Sequence, residues 1–562
     1  MRDRIIQTTL LLFTAFLLLG SKVTYLQVYK SNYLKSIFHK QFQKVEDIEP
    51  IRGYIYDCNG TILALSTLND SYYCMPQDLE SIETTADMLS NLLDLEKESL
   101  LKKLRDRTGF FWIKRKAAID DSRSLLSKRL SKGIGIIKEA KRFYPRKDFA
   151  CHVIGITGLD NHGLSGTEYK LDSYLRASSK QLRISKDALG RDVVTSDTLS
   201  IEENTASNVY LTIDEVIQHS AEKHADTLFK KTKSKAVSIV VQKVETGEIL
   251  ALVNRPSFDG NAITKDDLKV LKNRVVTDVY EPGSTLKVCV AAAAIEEKVV
   301  GLNTKLFCEN GKYKIGTFSI EDHDKYGTLD VRDIIAHSSN IGMAKIGQRL
   351  GKDKLYEWLK SFGFGNYTGI ELPGEVKGIL RHPKEWSTIS ASVIAFGQEI
   401  GVTSIQTVCA YSCIANNGIL LEPRIIKSVR NFENEKTTLY KKRVVRKVIS
   451  ADTCRKIIEA MEQVVIKGTA ASVQYDGYRI ACKTGTAQKI DPKTGKYSNK
   501  KYIASIAGFF PAQKPEVTIL VMADEPKGIY WGGDVCGPIF KALVKDIALD
   551  MNIPKSLNRG IE

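Results

Sequence analysis

The sequence predicts a multidomain α+β protein carried on one N-terminal membrane-spanning helix, and three observations predict it. A single apolar run stands at the N-terminus of a chain that is otherwise ordinary in composition. A stretch rich in Lys, Asp and Ser follows, mixing short strands and helices without a catalytic motif. Beyond about residue 206 strand signals gather at both ends of a long helix-rich segment. That pattern fits an antiparallel sheet flanked by helices, made by the two ends of one domain with a helical lobe inserted between them.

The 562 residues, at 43% apolar and 26% charged, exclude a disordered tail protein, a collagen-like fibre and a polytopic membrane protein. At about 150 residues per domain, the length suggests roughly three or four folding units. Ten cysteines are too sparse for a disulfide scaffold. The charge balance, 82 − 66 = +16, suits nucleic acid, anionic lipid or an anionic polymer alike. The lysines are spread along the chain and no nucleic-acid-binding motif accompanies them, so no nucleic-acid partner is predicted.

Ile5 to Leu19 is interrupted only by Gln7, Thr8, Thr9 and Thr14. Alone that run is short for a span. No small-x-small cleavage site follows it, and the apolar pattern continues through Val23, Tyr25, Leu26 and Val28, with Lys22 able to snorkel. The predicted divisions are a tail at 1–4, a transmembrane anchor at 5–28 and a stalk at 29–50, read as a helix that stops before Pro50. Arg2 and Arg4 precede the span, and Lys22, Lys30 and Lys35 lie at its far end or soon after it, so charge alone does not orient it.

Residues 51–205 are predicted as a separate non-catalytic α+β module, with a helical stretch over Leu89 to Arg107. Residues 206–562 form the second domain. Val209 to Asp214 reads as a strand leading into a helix to about 230. Val237–Val241 and Ile249–Val253 read as a hairpin around Glu245-Thr246-Gly247-Glu248. Ile480–Thr486, Tyr502–Phe509 and Val517–Met522 read as three successive strands, and a final helix begins near Pro538.

Three short motifs carry the chemistry. In Glu281-Pro282-Gly283-Ser284-Thr285-Leu286-Lys287, Pro and Gly set a helix start, and Ser284 and Lys287 share a face. A serine hydroxyl needs an adjacent base, and a lysine serves as one only when burial or a second cation depresses its pKa. Ser338-Ser339-Asn340 is the second motif. Lys483-Thr484-Gly485-Thr486, on a strand, is the third. Lys483 supplies the second cation, Gly485 lets a substrate backbone approach the strand edge, and the Thr484 or Thr486 hydroxyl can bind a carboxylate. Each motif alone is weak. Together, in this order and separated by 338 − 284 = 54 and 483 − 338 = 145 residues, they match the S-x-x-K, S-D-N and K-T-G set of serine β-lactamases and penicillin-binding proteins, with Ser339 where that set has aspartate.

The chain resembles the class B penicillin-binding proteins over nearly its whole length. Arg52-Gly53-Tyr54-Ile55-Tyr56-Asp57-Cys58-Asn59-Gly60 is similar to the family's RGxIxDRNG box, with Cys58 where arginine is usual. Phe143-Tyr144-Pro145, Gly163-Leu164-Ser165-Gly166-Thr167-Glu168, Leu211-Thr212-Ile213-Asp214, Ala395-Phe396-Gly397-Gln398 and Val465-Ile466-Lys467-Gly468-Thr469-Ala470 also match. The resemblance implies a type II single-pass membrane protein with a dimerisation-type pedestal at 51–205. It implies an extracytoplasmic penicillin-binding/β-lactamase-like transpeptidase domain at 206–562. The implied reaction cross-links peptidoglycan stem peptides ending in D-Ala-D-Ala, and β-lactams would acylate the same serine. Ser284 would be the nucleophile, Lys287 its base, Ser338 a proton relay, Asn340 a substrate and Lys287 ligand, and Lys483 the source of the local field. The N–H groups of Ser284 and Thr486 would form the oxyanion hole. Thr484, Gly485 and Thr486 would line the substrate. A polytopic membrane glycosyltransferase and other wall-synthesis proteins are the implied partners. No metal or other cofactor is implied.

A β-lactamase and a D,D-carboxypeptidase use the same triad; the anchor and pedestal argue against the first, and the pedestal motifs disfavour the second. From another class, a morphogenetic scaffold is argued against by the intact set of five polar residues. His219 and His224 are five apart, which does not place them on one helix face, and HExxH is absent. Cys482, Asp534 and Cys536 are a candidate disulfide or zinc site, against the plainer reading of buried free thiols.

Overall fold

The computed structural model describes residues 2–34, 43–48, 51–107, 111–117, 132–176, 180–186, 192–194, 206–431, 436–491 and 494–555. By internal contacts the chain divides into two units. One comprises 1–51, 68–140 and 177–205; the other comprises 52–67, 141–176 and 206–562.

In the first unit, a helix over Arg2–Thr24 continues as one wide π-helical turn over Tyr25–Tyr29. These 28 residues are long and apolar enough to cross a membrane. The stalk expectation needs correction, because Gln43–Ile48 is a strand, not helix. It pairs antiparallel with Lys180–Lys186, which pairs in turn with Asp192–Val194. The rest of the expected stalk, at 35–42 and 49–50, lies outside the described residues.

The single helix expected over 89–107 is two helices, Ile82–Leu93 and Lys97–Asp106. Ser81 caps the first. Asp94, left-handed at φ 52°, ends it, a conformation that Asp tolerates better than most residues. Lys114 Nζ donates to Leu93 O at 2.6 Å, satisfying a terminal carbonyl of the same helix. Tyr72, Leu89, Leu93, Leu100, Leu104 and Phe111 pack into a small core of their own.

The second unit is built on a five-stranded antiparallel sheet. Its spatial order is Ile249–Arg255, Ala236–Lys243, Val517–Asp524, Tyr497–Phe510 and Ala481–Ile490. The sheet therefore joins the two ends of this part of the chain. Val521 lies opposite Ile239, and Lys483 opposite Ala507. Ala236–Lys243 and Val517–Asp524, neighbours inside the sheet, are buried along nearly their whole length, as their β-branched content suits. Glu215–Thr232, with Asp214 as its N-cap, and Gly532–Asp550 pack against each other and against the sheet. The final helix starts six residues before Pro538. That proline sits in its second turn, where only one intrahelical hydrogen bond is forgone.

Two helices are buried all round. Lys287–Glu296 reads Lys-Val-Cys-Val-Ala-Ala-Ala-Ala-Ile-Glu, with only Glu296 outside the core. Ser404–Ala415 is buried throughout and opens on a capping box between Thr403 and Gln406. Helices with no polar face belong in a core.

Residues 52–67 and 141–176, expected in the pedestal, pack with the second unit. Bonds to the rest of that unit hold them there: Tyr54 N–H donates to Asn208 Oδ1 at 2.7 Å, and Ala150 N–H donates to Glu222 Oε1 at 2.7 Å. A buried charge cluster ties the two segments to each other. Glu168 accepts from Arg52 Nε at 2.5 Å and from Arg142 Nε at 2.6 Å, and Arg142 Nη1 donates to Gly53 O at 2.7 Å. Breaking such a buried set by removing one partner costs on the order of 3–5 kcal/mol. Ile55–Tyr56 also pairs in parallel with Val209 and Tyr210. Cys58, where an arginine was expected, approaches Asp214 Oδ2 at 3.5 Å, and its carbonyl accepts from Lys427 Nζ at 2.7 Å.

Candidate active site

The serine turn is a one-turn 3-10 helix, Gly283–Thr285, that leads into the helix beginning at Lys287. Gly283 is left-handed at φ 53°. Its N–H donates to Gly397 O at 3.0 Å. Gly397, at φ 91°, approaches so closely that a Cβ there would lie 2.0 Å from Gly283 O. The Ala395-Phe396-Gly397-Gln398 segment is therefore a clamp on the nucleophile turn. Glu281 extends it, its Oε1 accepting from Glu399 N–H at 2.9 Å and from Tyr497 OH at 3.1 Å. From below, Tyr411 OH donates to Thr285 O at 2.7 Å. Gly397→Ala should cost on the order of 2–3 kcal/mol of stability, from the clash and the positive φ together. It should slow acylation of Ser284 more than tenfold even below the melting temperature. Thermal melts beside acylation kinetics check both.

Lys287 is fully buried, and its Nζ reaches the Ser-x-Asn motif. It donates to Asn340 Oδ1 at 2.7 Å, to Ser338 O at 2.5 Å and to Ser338 Oγ at 3.3 Å. Lys483, also fully buried, donates to Ser338 Oγ at 2.9 Å and to Thr484 O at 3.1 Å. One hydroxyl thus stands between two amines. Burial first, and then the charge of Lys483, hold Lys287 well below its usual pKa, with Asp322 opposing. Burial lowers Lys483 to about 7, against a smaller opposite pull from Cys482.

Ser338 is left-handed at φ 63°, a conformation that costs a non-glycine residue roughly 1–2 kcal/mol. Asp322 sustains it. Asp322 Oδ1 accepts from the N–H of Asn340 at 2.5 Å and of Ile341 at 3.0 Å, and Oδ2 accepts from Ser339 Oγ at 2.6 Å. Ser339 Oγ also caps the helix Asn340–Leu350, accepting from Gly342 N–H at 2.9 Å. The Asn340 amide donates to Glu321 O at 3.0 Å, which fixes its oxygen toward Lys287. Sequence reasoning missed Asp322, which lies 16 residues before Ser338 on a hairpin that gives no motif. Asp322→Ala should destabilise the protein by about 2 kcal/mol, because three donors lose their acceptor. It should also cut acylation at least tenfold, since Ser338 and Asn340 lose their support. Chemical denaturation and acylation kinetics check it.

Ser284, Ser338, Asn340, Thr484 and Thr486 line one cleft of about 560 Å³. Its far wall is Lys467-Gly468-Thr469 and Trp531-Gly532-Gly533-Asp534, and His323 lies edge-on to Trp531 at 4.9 Å. Thr484 Oγ1 pairs with Thr469 Oγ1 at 2.6 Å, and Thr486 Oγ1 accepts from Gly532 N–H at 3.0 Å. Trp531 and Thr469 were not singled out as site residues in the sequence. Gly485 has a packing reason besides the one expected. A Cβ there would lie 2.5 Å from Ser505 Oγ, 3.0 Å from Thr285 Cγ2 and 3.1 Å from Pro282 O. The glycine lets the strand close against the serine turn.

The ten cysteines are free thiols, all buried but the half-buried Cys58. Cys482 and Cys536 form no disulfide, and Cys536 Sγ instead approaches Ala504 O at 3.4 Å. Asp534 faces the cleft, so the approach proposed among these three residues does not occur.

Two protein families match the chain. The penicillin binding protein transpeptidase domain matches residues 237–545, and the penicillin-binding protein dimerisation domain matches 47–211. Among similar proteins, stage V sporulation protein D of Bacillus subtilis is 31% identical over 99% of this chain and 87% of its own. Peptidoglycan D,D-transpeptidase FtsI of Escherichia coli is 31% identical over 98% and 92%. The crystal structure of penicillin binding protein 3 from Mycobacterium tuberculosis with aztreonam superposes at a TM-score of 0.70. It is 25% identical and covers 91% of this chain and 98% of that one.

Proposed function

The chain belongs to the penicillin-binding protein transpeptidase family, and from that premise we propose how its five buried or cleft-lining polar groups divide the work. The protein is a serine-type peptidoglycan D,D-transpeptidase and a target of β-lactams. The observation that carries the assignment of roles is the placement of Ser338 Oγ between the Nζ atoms of Lys287 and Lys483.

Ser284 attacks the penultimate carbonyl of a stem peptide ending in D-Ala-D-Ala. Lys287, its pKa held down by burial and by Lys483, takes the serine proton. The N–H groups of Ser284 and Thr486 receive the developing oxyanion, a contribution of roughly 3–4 kcal/mol for one such donor elsewhere. Ser338 passes a proton to the leaving D-alanine nitrogen, and the C–N bond breaks to give the acyl-enzyme. Asn340 orients Lys287 and hydrogen-bonds the substrate amide. Thr484 and Thr486 present hydroxyls at the cleft wall for the terminal carboxylate. An amine from a neighbouring stem peptide then displaces Ser284 and forms the cross-link, the proton returning to the serine.

The helix Arg2–Tyr29 anchors the protein in the membrane, with the transpeptidase domain outside the cytoplasm, where the polymer lies. A polytopic membrane glycosyltransferase supplies the glycan strands. The test uses the full chain in detergent with un-cross-linked peptidoglycan strands. Released D-alanine and cross-linked muropeptides in equal amounts support the reading. D-Alanine without cross-links would make the protein a carboxypeptidase.

A further inference from the structure

A second charged feature of the larger unit has no part in this chemistry. Residues 436–447 contain Lys436, Lys441, Lys442, Arg443, Arg446 and Lys447 and no acidic residue. All twelve are exposed except the half-buried Tyr440. Apolar side chains lie among the cations, with Leu439 64% and Val444 58% exposed. Among the described residues, Lys441, Lys442 and Arg446 make no ion pair, so their charge is not spent inside the protein.

The ribbon is held firmly. Thr437–Leu439 pairs with Ile426–Asn431, and Val444–Lys447 pairs with Ile419–Leu421, each ending its sheet among the described residues. Between these two strands, Tyr440 N–H donates to Lys427 O at 3.0 Å and Glu422 N–H donates to Arg443 O at 3.1 Å. Lysines on an edge strand commonly serve to block self-pairing. That account covers the cations but not what lies beside them. A cavity of about 590 Å³ opens against the ribbon, lined by Lys170, Glu371, Glu422, Lys441 and Arg443 among others. It shares no lining residue with the catalytic cleft.

The cavity offers both signs of charge within one wall, and the ribbon offers a row of positive charge leading away from it. An un-cross-linked peptidoglycan strand has the complementary chemistry. Each stem peptide carries carboxylates and one free side-chain amine, and the peptides repeat along the glycan. We propose that this cavity and ribbon bind a second stretch of the un-cross-linked strand, with Glu371 or Glu422 receiving an amine and the ribbon receiving carboxylates. The proposal rests on the transpeptidase reading above. Its benefit would be multivalency, because a strand held at one point presents its other stem peptides to Ser284 at a raised local concentration.

The test is co-sedimentation of the full chain, in neutral detergent, with purified peptidoglycan rich in un-cross-linked strands. The wild type is set beside Lys441→Ala/Lys442→Ala/Arg446→Ala, and acylation by a fluorescent penicillin is measured on both. The expected result is roughly tenfold weaker sedimentation of the triple variant at low salt, about twofold per charge removed, and a flatter salt dependence. Acylation is expected to be unchanged, which keeps the catalytic reading separate from this one. Chemical amidation of the stem-peptide carboxylates should weaken wild-type binding to the level of the variant. Equal sedimentation of the two proteins would overturn the proposal, as would indifference to amidation. Displacement by anionic phospholipid micelles but not by a soluble peptidoglycan digest would overturn it too, and would assign the ribbon to a lipid surface.

Discussion

Ser284→Ala is expected to give a folded protein that forms no covalent adduct with a β-lactam. The side chain is half-buried, so its truncation should change stability by no more than about 0.5 kcal/mol. The chemical loss is of another order. Removing a serine that works as a unit with its base lowers turnover by roughly 10⁴- to 10⁶-fold. Intact-mass spectrometry after incubation with a penicillin reads the result directly. Wild type should gain one drug mass, lose it slowly and hydrolyse little free drug. An adduct of equal abundance in the alanine variant would move the nucleophile elsewhere. Rapid decay of the wild-type adduct with drug turnover would point to a β-lactamase.

Lys287→Ala should be nearly as damaging, with acylation slowed on the order of 10²- to 10⁴-fold, the range for a general base. Lys287→Arg should do no better, since guanidinium stays protonated and cannot accept the serine proton. The wild-type rate should rise with pH and then level off, because only the neutral amine is a base. Burial and Lys483 place that rise well below the pH at which a free lysine titrates. Lys483→Ala removes one of the causes that depress Lys287, so the rising limb should move to higher pH as well as lose amplitude. An unchanged midpoint in the Lys483 variant would show that the two amines are not coupled. Stopped-flow acylation across pH, with circular dichroism to show each variant folded, makes the measurement.

Much of the site was legible because its chemistry is local. Ser284 and Lys287 are three residues apart at a helix start marked by Pro282 and Gly283, and that spacing fixes their relation without tertiary structure. The five sheet strands were legible because β-branched and aromatic residues cluster in them. What was illegible depends on partners far along the chain. Asp322 matters because it meets the backbone N–H groups that open the helix Asn340–Leu350, and no periodicity in the sequence announces that meeting. Gly485 in the sequence shows that a side chain is missing but not which protein atoms stand where it would be, which are those of Ser505, Thr285 and Pro282. The same limit explains the pedestal boundary. Tyr54 on Asn208 and Ala150 on Glu222 tie these segments to a part of the chain remote in sequence, and Arg52 and Arg142 on Glu168 tie the two segments together.

The order of strands in the sheet also sets a timetable for the protein's birth. Val517–Asp524 lies between Ala236–Lys243 and Tyr497–Phe510, so the first-made hairpin has no neighbour on that side until nearly the whole chain has been synthesised. Ser284 and Lys287 therefore leave the ribosome long before Lys483 exists to complete their surroundings. Pairings so distant in sequence form slowly, because a long loop must close before any contact compensates for it. Until its last strands are made, the nascent chain carries Ser284 and Lys287 but not the second amine.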